Sequence, residues 1–437
     1  MRAVVVEESR TVRAVVRGFL TDLGFTVDCM PALPETVPPG ALVLVSSDLL
    51  TDDPRVLTGA GHVLTMASGA ATGSLQKPFT RAALAEKLKA LDLLPRIRVL
   101  IVDDAALARR LLTEALAAEP RLWIVGLATN GAEALDMLAE AAPDVVSLDI
   151  EMPVMDGLAT LAALRKRDAA LPVVMVSTLT ERGAAATLDA LALGAADYVT
   201  KPGQAVHFDD AVARLRAELV PRLLQFGAPR HAPTAVHVTA AQAVHRIDLL
   251  AIGTSTGGPE ALTTVLAGLP RDLPVPVVVV QHMPPMFTRL LAERLTARGS
   301  LPATEARDGE RLNPGRVYLA PGDFHLEVAR QGEALVAVLQ QRERENGCRP
   351  AVDVLFRSVA ECCGRHALAV VMTGMGQDGL LGCERLHQVE ARILAQDEAS
   401  SVVWSMPGGV VRAGLADAVL PLEGLSTEIA HRVSACR

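Results

Sequence analysis

Aromatic side chains are scarce in this chain: eight Phe, two Tyr and two Trp make up 3% of 437 residues, although half of the sequence is hydrophobic. Its cores must therefore be built from Ala, Val and Leu, which suits parallel sheets flanked by helices. Positive charge is also in deficit. The 42 Lys and Arg against 50 Asp and Glu leave a net charge of −8. That balance, with no basic stripe, argues against nucleic acid as a partner. The six cysteines (Cys29, Cys348, Cys362, Cys363, Cys383, Cys436) show no CxxC pairing and no spaced His partners. Neither a zinc site nor a disulfide framework is indicated, and they read as reduced thiols. No apolar run approaches the ~18 residues of a membrane span, and the opening MRAVVVEESR lacks a signal peptide's basic start and long apolar core. A cytoplasmic protein without membrane insertion is expected.

What the chain does have is a short apolar strand that runs into a turn of small residues, IDLLAIGTSTGGP at 247–259. Gly253, Thr254, Ser255, Thr256 and Gly257 spell G-x-S-x-G, followed by a helical pattern over 260–266. Such an elbow sets a serine hydroxyl above the carboxyl end of a sheet, with N–H groups of the next helix facing any oxyanion that forms. A glycine-rich strand-to-helix turn is also a common phosphate cradle or plain tight loop, so the partners of Ser255 must decide.

Residues 2–93 alternate short apolar runs (3–6, 41–45, 62–66) with helical patterns (11–23, 80–91). Glu7 and Glu8 end the first run and Lys77-Pro78-Phe79 closes a later one. The same placement returns more sharply from Arg98, which points to an internal repeat. There, 99–102 ends in Asp103-Asp104, 145–148 in Asp149, 173–176 in Ser177, and 197–200 in Lys201-Pro202. In a parallel sheet these strand ends share one edge, so three carboxylates, a hydroxyl and a lysine converge. A hard divalent cation such as Mg²⁺ would relieve the repulsion, and Lys201 would neutralise much of the rest. This is equipment for phosphoryl transfer, with Asp149 as nucleophile. In the first segment the counterpart of Asp149 falls near Ser46 or Ser47, with Asp48 one or two positions late.

The stretches VLIVDD, VVSLDIEMPVMDG, VVMVS and ADYVTKP closely resemble the receiver domain of bacterial response regulators, over about residues 97–220. The resemblance implies that Asp149 accepts phosphate from a histidine kinase. It also implies that Asp104, Asp149 and the Glu151 carbonyl hold Mg²⁺ with Asp103 assisting, and that Ser177, Tyr198 and Lys201 form the switch. Residues 1–95 then look like a degenerate receiver whose acceptor has been lost. A helical stretch at 209–225 leads into an Ala-, Pro- and Thr-rich linker, 226–246, whose His231, His237 and His245 read as solvated side chains.

From 247 to 437 strands and helices alternate again. The β-branched run 275–281 delivers His282 to a strand's carboxyl end, and the run 367–372 is followed by TGMGQDG, delivering Asp378. A hydroxyl, an imidazole and a carboxylate on one edge are what nucleophilic acyl transfer requires. The chain order Ser, His, Asp is not that of α/β-hydrolases. The segments AIGTSTGGPEAL, QHMPPMFTRLLAERL, GRVYLAPGD, CRPAVDVLFRSVA, TGMGQDG and LAQDEASSVVWSMP closely resemble the catalytic domain of chemotaxis protein-glutamate methylesterases, the CheB family. That implies hydrolysis of glutamate γ-methyl esters and deamidation of selected glutamines on the methylated helices of chemoreceptors. Ser255, His282 and Asp378 would be the triad, amides near Thr256 and Met283 the oxyanion donors, and no cofactor would be needed for hydrolysis. Where the family commonly has a histidine before Arg-Pro, this chain has Cys348.

The expectation is therefore an α/β protein with two flavodoxin-like receiver domains, the first degenerate, and a Rossmann-like methylesterase domain. Their bounds are 1–95, 97–225 and 247–437. The unphosphorylated second receiver is expected to pack over the edge that carries Ser255. A signalling scaffold with an idle site, or an esterase serving another protein outside chemotaxis, are the competing readings.

Overall fold

The computed structural model describes residues 2–32, 34, 36–46, 49, 60, 62–67, 75–77, 80, 83, 84, 87, 88, 96–203, 207–228 and 246–434. Ser47, Asp48, most of the helical pattern at 80–91, the three linker histidines and Cys436 lie outside the described residues.

The first sheet is parallel, with β1 (Arg2–Val6), β2 (Thr26–Met30), β3 (Leu42–Ser46), β4 (His62–Ala67) and β5 (Leu75–Gln76) in the order β2-β1-β3-β4-β5. Between β1 and β2 runs α1 (Arg10–Asp22), started by the Ser9 hydroxyl, which accepts the Val12 N–H. Val4, Val5, Leu42 and Leu44 are fully buried, as a strand covered on both faces requires.

The second sheet repeats this order. Its strands β6 (Ile97–Val102), β7 (Leu122–Ala128), β8 (Val145–Asp149), β9 (Val173–Ser177) and β10 (Asp197–Thr200) run β7-β6-β8-β9-β10, all parallel. Five helices alternate with them: α2 (Ala106–Ala117), α3 (Gly131–Ala141), α4 (Gly157–Arg167), α5 (Glu181–Ala192) and α6 (Phe208–Gly227). Asn130, Asp156 and Thr180 cap α3, α4 and α5 by accepting the N–H three residues on. Helix α6 runs two residues past the expected end at 225. Val212, Leu215, Leu219, Leu223 and Phe226 keep helical spacing through it and bury one stripe against the sheet.

The third sheet has seven parallel strands in the order β13-β14-β12-β11-β17-β18-β19. These are β11 (Leu249–Thr254), β12 (Val277–Gln281), β13 (Ala303–Glu305), β14 (Val317–Leu319), β17 (Ala367–Val371), β18 (Arg392–Gln396) and β19 (Ala418–Leu420). Helices α7 (Gly258–Ala267), α8 (Phe287–Arg298), α9 (Val352–Cys363), α10 (Leu380–Gln388), α11 (Ser405–Arg412) and α12 (Leu422–Ser434) flank it. An antiparallel hairpin, β15 (His325–Gln331) and β16 (Ala334–Gln340), leads into the loop before α9. The sheet centre, Leu249–Ile252 and Val277–Val280, is wholly solvent-free.

The second and third units pack on each other. The Tyr198 ring at the end of the second sheet stacks on Phe287 of α8, with centroids 5.1 Å apart and planes 6° from parallel. Arg294 of α8 meets Asp189 of α5 at 3.0 Å, and Arg289 pairs with Glu181. No helix among the described residues is long and apolar enough to cross a membrane.

Candidate active site

Ser255 stands in the turn between β11 and α7. Gly257 adopts φ +77°, which a side chain rarely tolerates, and at Gly258 a Cβ would fall 1.9 Å from Gln281 Oε1. These two glycines let the chain turn sharply while β12 lies alongside. The elbow is stitched to the loop after β17: the Ser255 N–H and the Thr254 hydroxyl both donate to the Thr373 carbonyl at 3.0 Å, and the Thr373 hydroxyl donates to the Thr256 carbonyl at 2.9 Å.

At the carboxyl end of β12, His282 Nδ1 lies 3.1 Å from Ser255 Oγ, and His282 Nε2 lies 2.7 Å from Asp378 Oδ2. With the Nε2 proton donated to the carboxylate, Nδ1 is left to accept from the hydroxyl. Three residues separated by 27 and 96 positions thus form one hydrogen-bonded chain. Asp378 is 2% exposed, yet five N–H groups surround its two oxygens. Oδ2 accepts from Val352 N and His282; Oδ1 accepts from Asp353 N, Gly379 N and the Asn346 amide. Burial pushes this carboxyl up, but the His282 bond and charge and the backbone amides outweigh it and hold it at about 2. For His282, burial favours the neutral ring, but the Asp378 and Cys348 hydrogen bonds prevail and raise its proton affinity above that of an ordinary histidine. The N–H groups of Thr256 and Met283 donate to no acceptor among the described residues, and both residues flank Ser255 and His282.

Two contacts of the triad escaped the sequence. Cys348 Sγ lies 3.6 Å from the same Nδ1 that faces Ser255. Asn346 reaches Asp378 from the turn before Cys348. The Asn-Gly pair at 346–347 is a strong turn signal that would have located this hairpin, though not what it touches. By contrast Cys362 and Cys363 lie at the end of α9 with their sulfurs 3.3 Å apart, away from the triad.

A cavity of about 780 Å³ opens onto Ser255 and His282, and its other wall is the second unit: Asp197, Tyr198, Arg214 and Arg222. Asp197 Oδ2 accepts from both the Thr256 hydroxyl and Arg222 Nε, each at 2.8 Å. The turn that carries the serine is thereby tied directly to the neighbouring sheet.

On that sheet's edge, carboxylate oxygens of Asp103, Asp104 and Asp149 lie within 4.8 Å of one another. Lys201 Nζ reaches Asp103 at 2.7 Å and Asp149 at 2.8 Å. Burial still pushes the Asp149 carboxyl up to about 6, and the Asp103 charge adds to that, against the pull of Lys201. One lysine does not balance three acids, and an all-carboxylate set fits a hard divalent cation such as Mg²⁺. The Glu151 side chain lies 3.7 Å from Arg182, which leaves its backbone carbonyl as the group expected at the ion. Ser177 is fully buried and its hydroxyl donates to the Gly183 carbonyl on α5 at 3.2 Å, while burial pushes the Tyr198 phenol up.

A family model described as CheB methylesterase matches residues 250–429, and one described as response regulator receiver domain matches 99–213. The protein-glutamate methylesterase/protein-glutamine glutaminase of Trichodesmium erythraeum is 44% identical over 351 residues, spanning 78% of this chain and all of that protein. The one of a Nocardioides species is 47% identical over 354 residues, spanning 78% of this chain and 96% of that protein. Among solved structures, the CheB methylesterase catalytic domain of Thermotoga maritima covers 43% of this chain and 99% of its own at 40% identity, with a TM-score of 0.42.

Proposed function

This chain belongs to the CheB methylesterase family, as a protein-glutamate methylesterase/protein-glutamine glutaminase with a receiver domain, and from that membership we propose which of its residues do the work. The observation that carries the proposal is the Ser255–His282–Asp378 chain at 3.1 and 2.7 Å.

Ser255 Oγ attacks the γ-carbonyl of a glutamate methyl ester while His282 Nδ1 takes the serine proton. Asp378 stabilises the imidazolium that forms. The tetrahedral oxyanion faces the N–H groups of Thr256 and Met283. Collapse expels methoxide, which His282 protonates to methanol; with a glutamine substrate the leaving group is ammonia. Water, deprotonated by His282, then releases the glutamate and restores Ser255. Every step uses groups of this chain and water. The protein substrate is taken to be the methylated helices of chemoreceptors.

Control comes from the receiver, with bounds of 97–225 extended by the observed helix to Gly227, and with residues 1–95 as a receiver without an acceptor. Asp149 is the phosphoacceptor and a histidine kinase the donor. Asp103, Asp104 and Asp149 would hold Mg²⁺, joined by the Glu151 carbonyl, and the ion's chemistry there would be to offset phosphoryl charge. Lys201 bridges Asp103 and Asp149, so a phosphoryl group on Asp149 would draw it away, and Ser177 and Tyr198 would follow. Because Tyr198 rests on Phe287 and Asp197 holds Thr256, a change at this edge reaches the serine turn through two contacts.

Ser255→Ala should lower methanol release from methylated receptor by at least roughly 1,000-fold with the fold intact, as loss of a triad nucleophile does. Release at the parent rate would sink the assignment.

A further inference from the structure

The loop between β16 and α9 makes a two-residue turn in which Glu345 and Cys348 exchange N–H···O bonds at 3.1 and 2.8 Å. Its central residues, Asn346 and Gly347, adopt φ of 53° and 76°, the left-handed pair that Asn-Gly favours. The turn is pinned on both sides. Glu345 accepts from both terminal guanidinium nitrogens of Arg357 on α9 at 2.6 Å, and Arg349 grips Asp323 at 3.0 and 2.6 Å.

Held this way, the Asn346 side chain enters a space between two buried carboxylates. Its Nδ2 lies 2.9 Å from Asp378 Oδ1 and 2.9 Å from Asp353 Oδ2. Asp353 is only 1% exposed, and its other oxygen accepts the Gly382 N–H at 2.6 Å. Two carboxylates so near repel each other, and the repulsion would rotate the one that is free to move. A side-chain amide presents two N–H groups and no charge, so it can satisfy both acids at once without competing with His282 for the negative charge of Asp378.

We infer that Asn346 is a positioning residue for ester hydrolysis, which bridges Asp378 to Asp353 and so holds the carboxylate against His282 Nε2. The inference rests on the reading of Ser255, His282 and Asp378 as the triad. Burial pushes Asp353 up to about 6, which fits a carboxylate whose charge is tolerated only through its hydrogen bonds.

Two variants isolate the amide. Asn346→Gly keeps a residue at home in the left-handed turn and deletes both donors. Asn346→Asp keeps the turn and replaces the donors by a third carboxylate. The charged and titratable groups around the pair are His282 after β12, Asp353 and Arg357 on α9, Cys348 in the turn and Cys383 on α10. Removing a donor from ionised Asp378 leaves it more basic, so His282 holds its proton to higher pH and the rising limb of kcat/KM moves upward. In the full chain, with methanol release from methylated receptor as the assay, Asn346→Gly should lower kcat roughly 10-fold with KM within about 2-fold. Asn346→Asp should lower it roughly 100-fold, and both should shift the limb upward. An unchanged kcat in Asn346→Gly, or a fall in kcat with the limb unmoved, overturns the inference. Ser255→Ala in the same assay separates the two claims. Loss of activity there beside a normal Asn346→Gly rejects the positioning role alone, whereas full activity in Ser255→Ala rejects the triad itself.

Discussion

Two five-stranded parallel sheets in this chain share one strand order, and each sends a lysine to the same corner, where the lysines find different partners. In the second, Lys201 bridges Asp103 and Asp149. In the first, Lys77 pairs with Glu7 after β1 and donates to the Ser46 hydroxyl at 3.0 Å. Ser46 ends β3 as Asp149 ends β8, so a hydroxyl stands in the first sheet where the second has a carboxylate. A carboxylate there is buried against its own interest, which fits its proposed role as phosphoacceptor; a hydroxyl lets the lysine settle with one acid. The first sheet also lies outside both matched family segments. On this reading the first corner is a closed ion pair and the second a poised phosphoacceptor.

The largest expected difference is in phosphate incorporation. With radiolabelled acetyl phosphate and Mg²⁺, Asp149→Ala should lose all label, and Ser46→Ala should keep the parent amount. Label surviving in Asp149→Ala and lost in Ser46→Ala would invert the comparison. A smaller difference concerns stability. Lys77→Met leaves Glu7 buried without its cation, and hydrogen exchange of the β1 and β3 amides should report a loss of about 3 kcal/mol confined to the first sheet.

The smallest effect is in the sign of the pH dependence. For Glu7, burial raises the pKa, but the Lys77 bond and charge, the Ser9 amide and Arg13 prevail and set it below 4.5. A depressed carboxylate adds stability that is present above its unfolded value and lost as pH falls through the folded one. Asp149 is raised, so its contribution is complete below the unfolded value of 3.8 and lost as pH rises through about 6. Between pH 4 and 6, exchange protection should therefore decline with rising pH around β8 by about 1 to 2 kcal/mol and should not decline around β1. Parallel slopes in the two sheets would erase the distinction.

The strand ends were legible because each chemical residue follows a short β-branched or Ala/Val run, and a parallel sheet puts all such ends on one edge. Ser255, His282 and Asp378 came from that rule together with the motifs around them, as did Asp103, Asp149 and Lys201. What escaped lies in contacts between loops. Cys348 showed no histidine nearby in sequence, yet folding sets it 3.6 Å from His282, 66 positions away. The Asn346 bridge and the Thr256–Asp197 bond join segments 32 and 59 positions apart, where no periodicity operates. The extent of α6 was misjudged by two residues because Phe226 continues the apolar stripe into what composition alone marks as linker.

In the proposed function, the edge carrying Asp149 governs access to Ser255. That control is tested most directly by the rate of methanol release from methylated receptor before and after addition of acetyl phosphate with Mg²⁺, in the parent chain and in Asp149→Ala. A gate worth about 1.4 kcal/mol or more predicts at least a 10-fold rise in the parent and none in the variant. Equal rates in both proteins, with and without the phosphodonor, would contradict it.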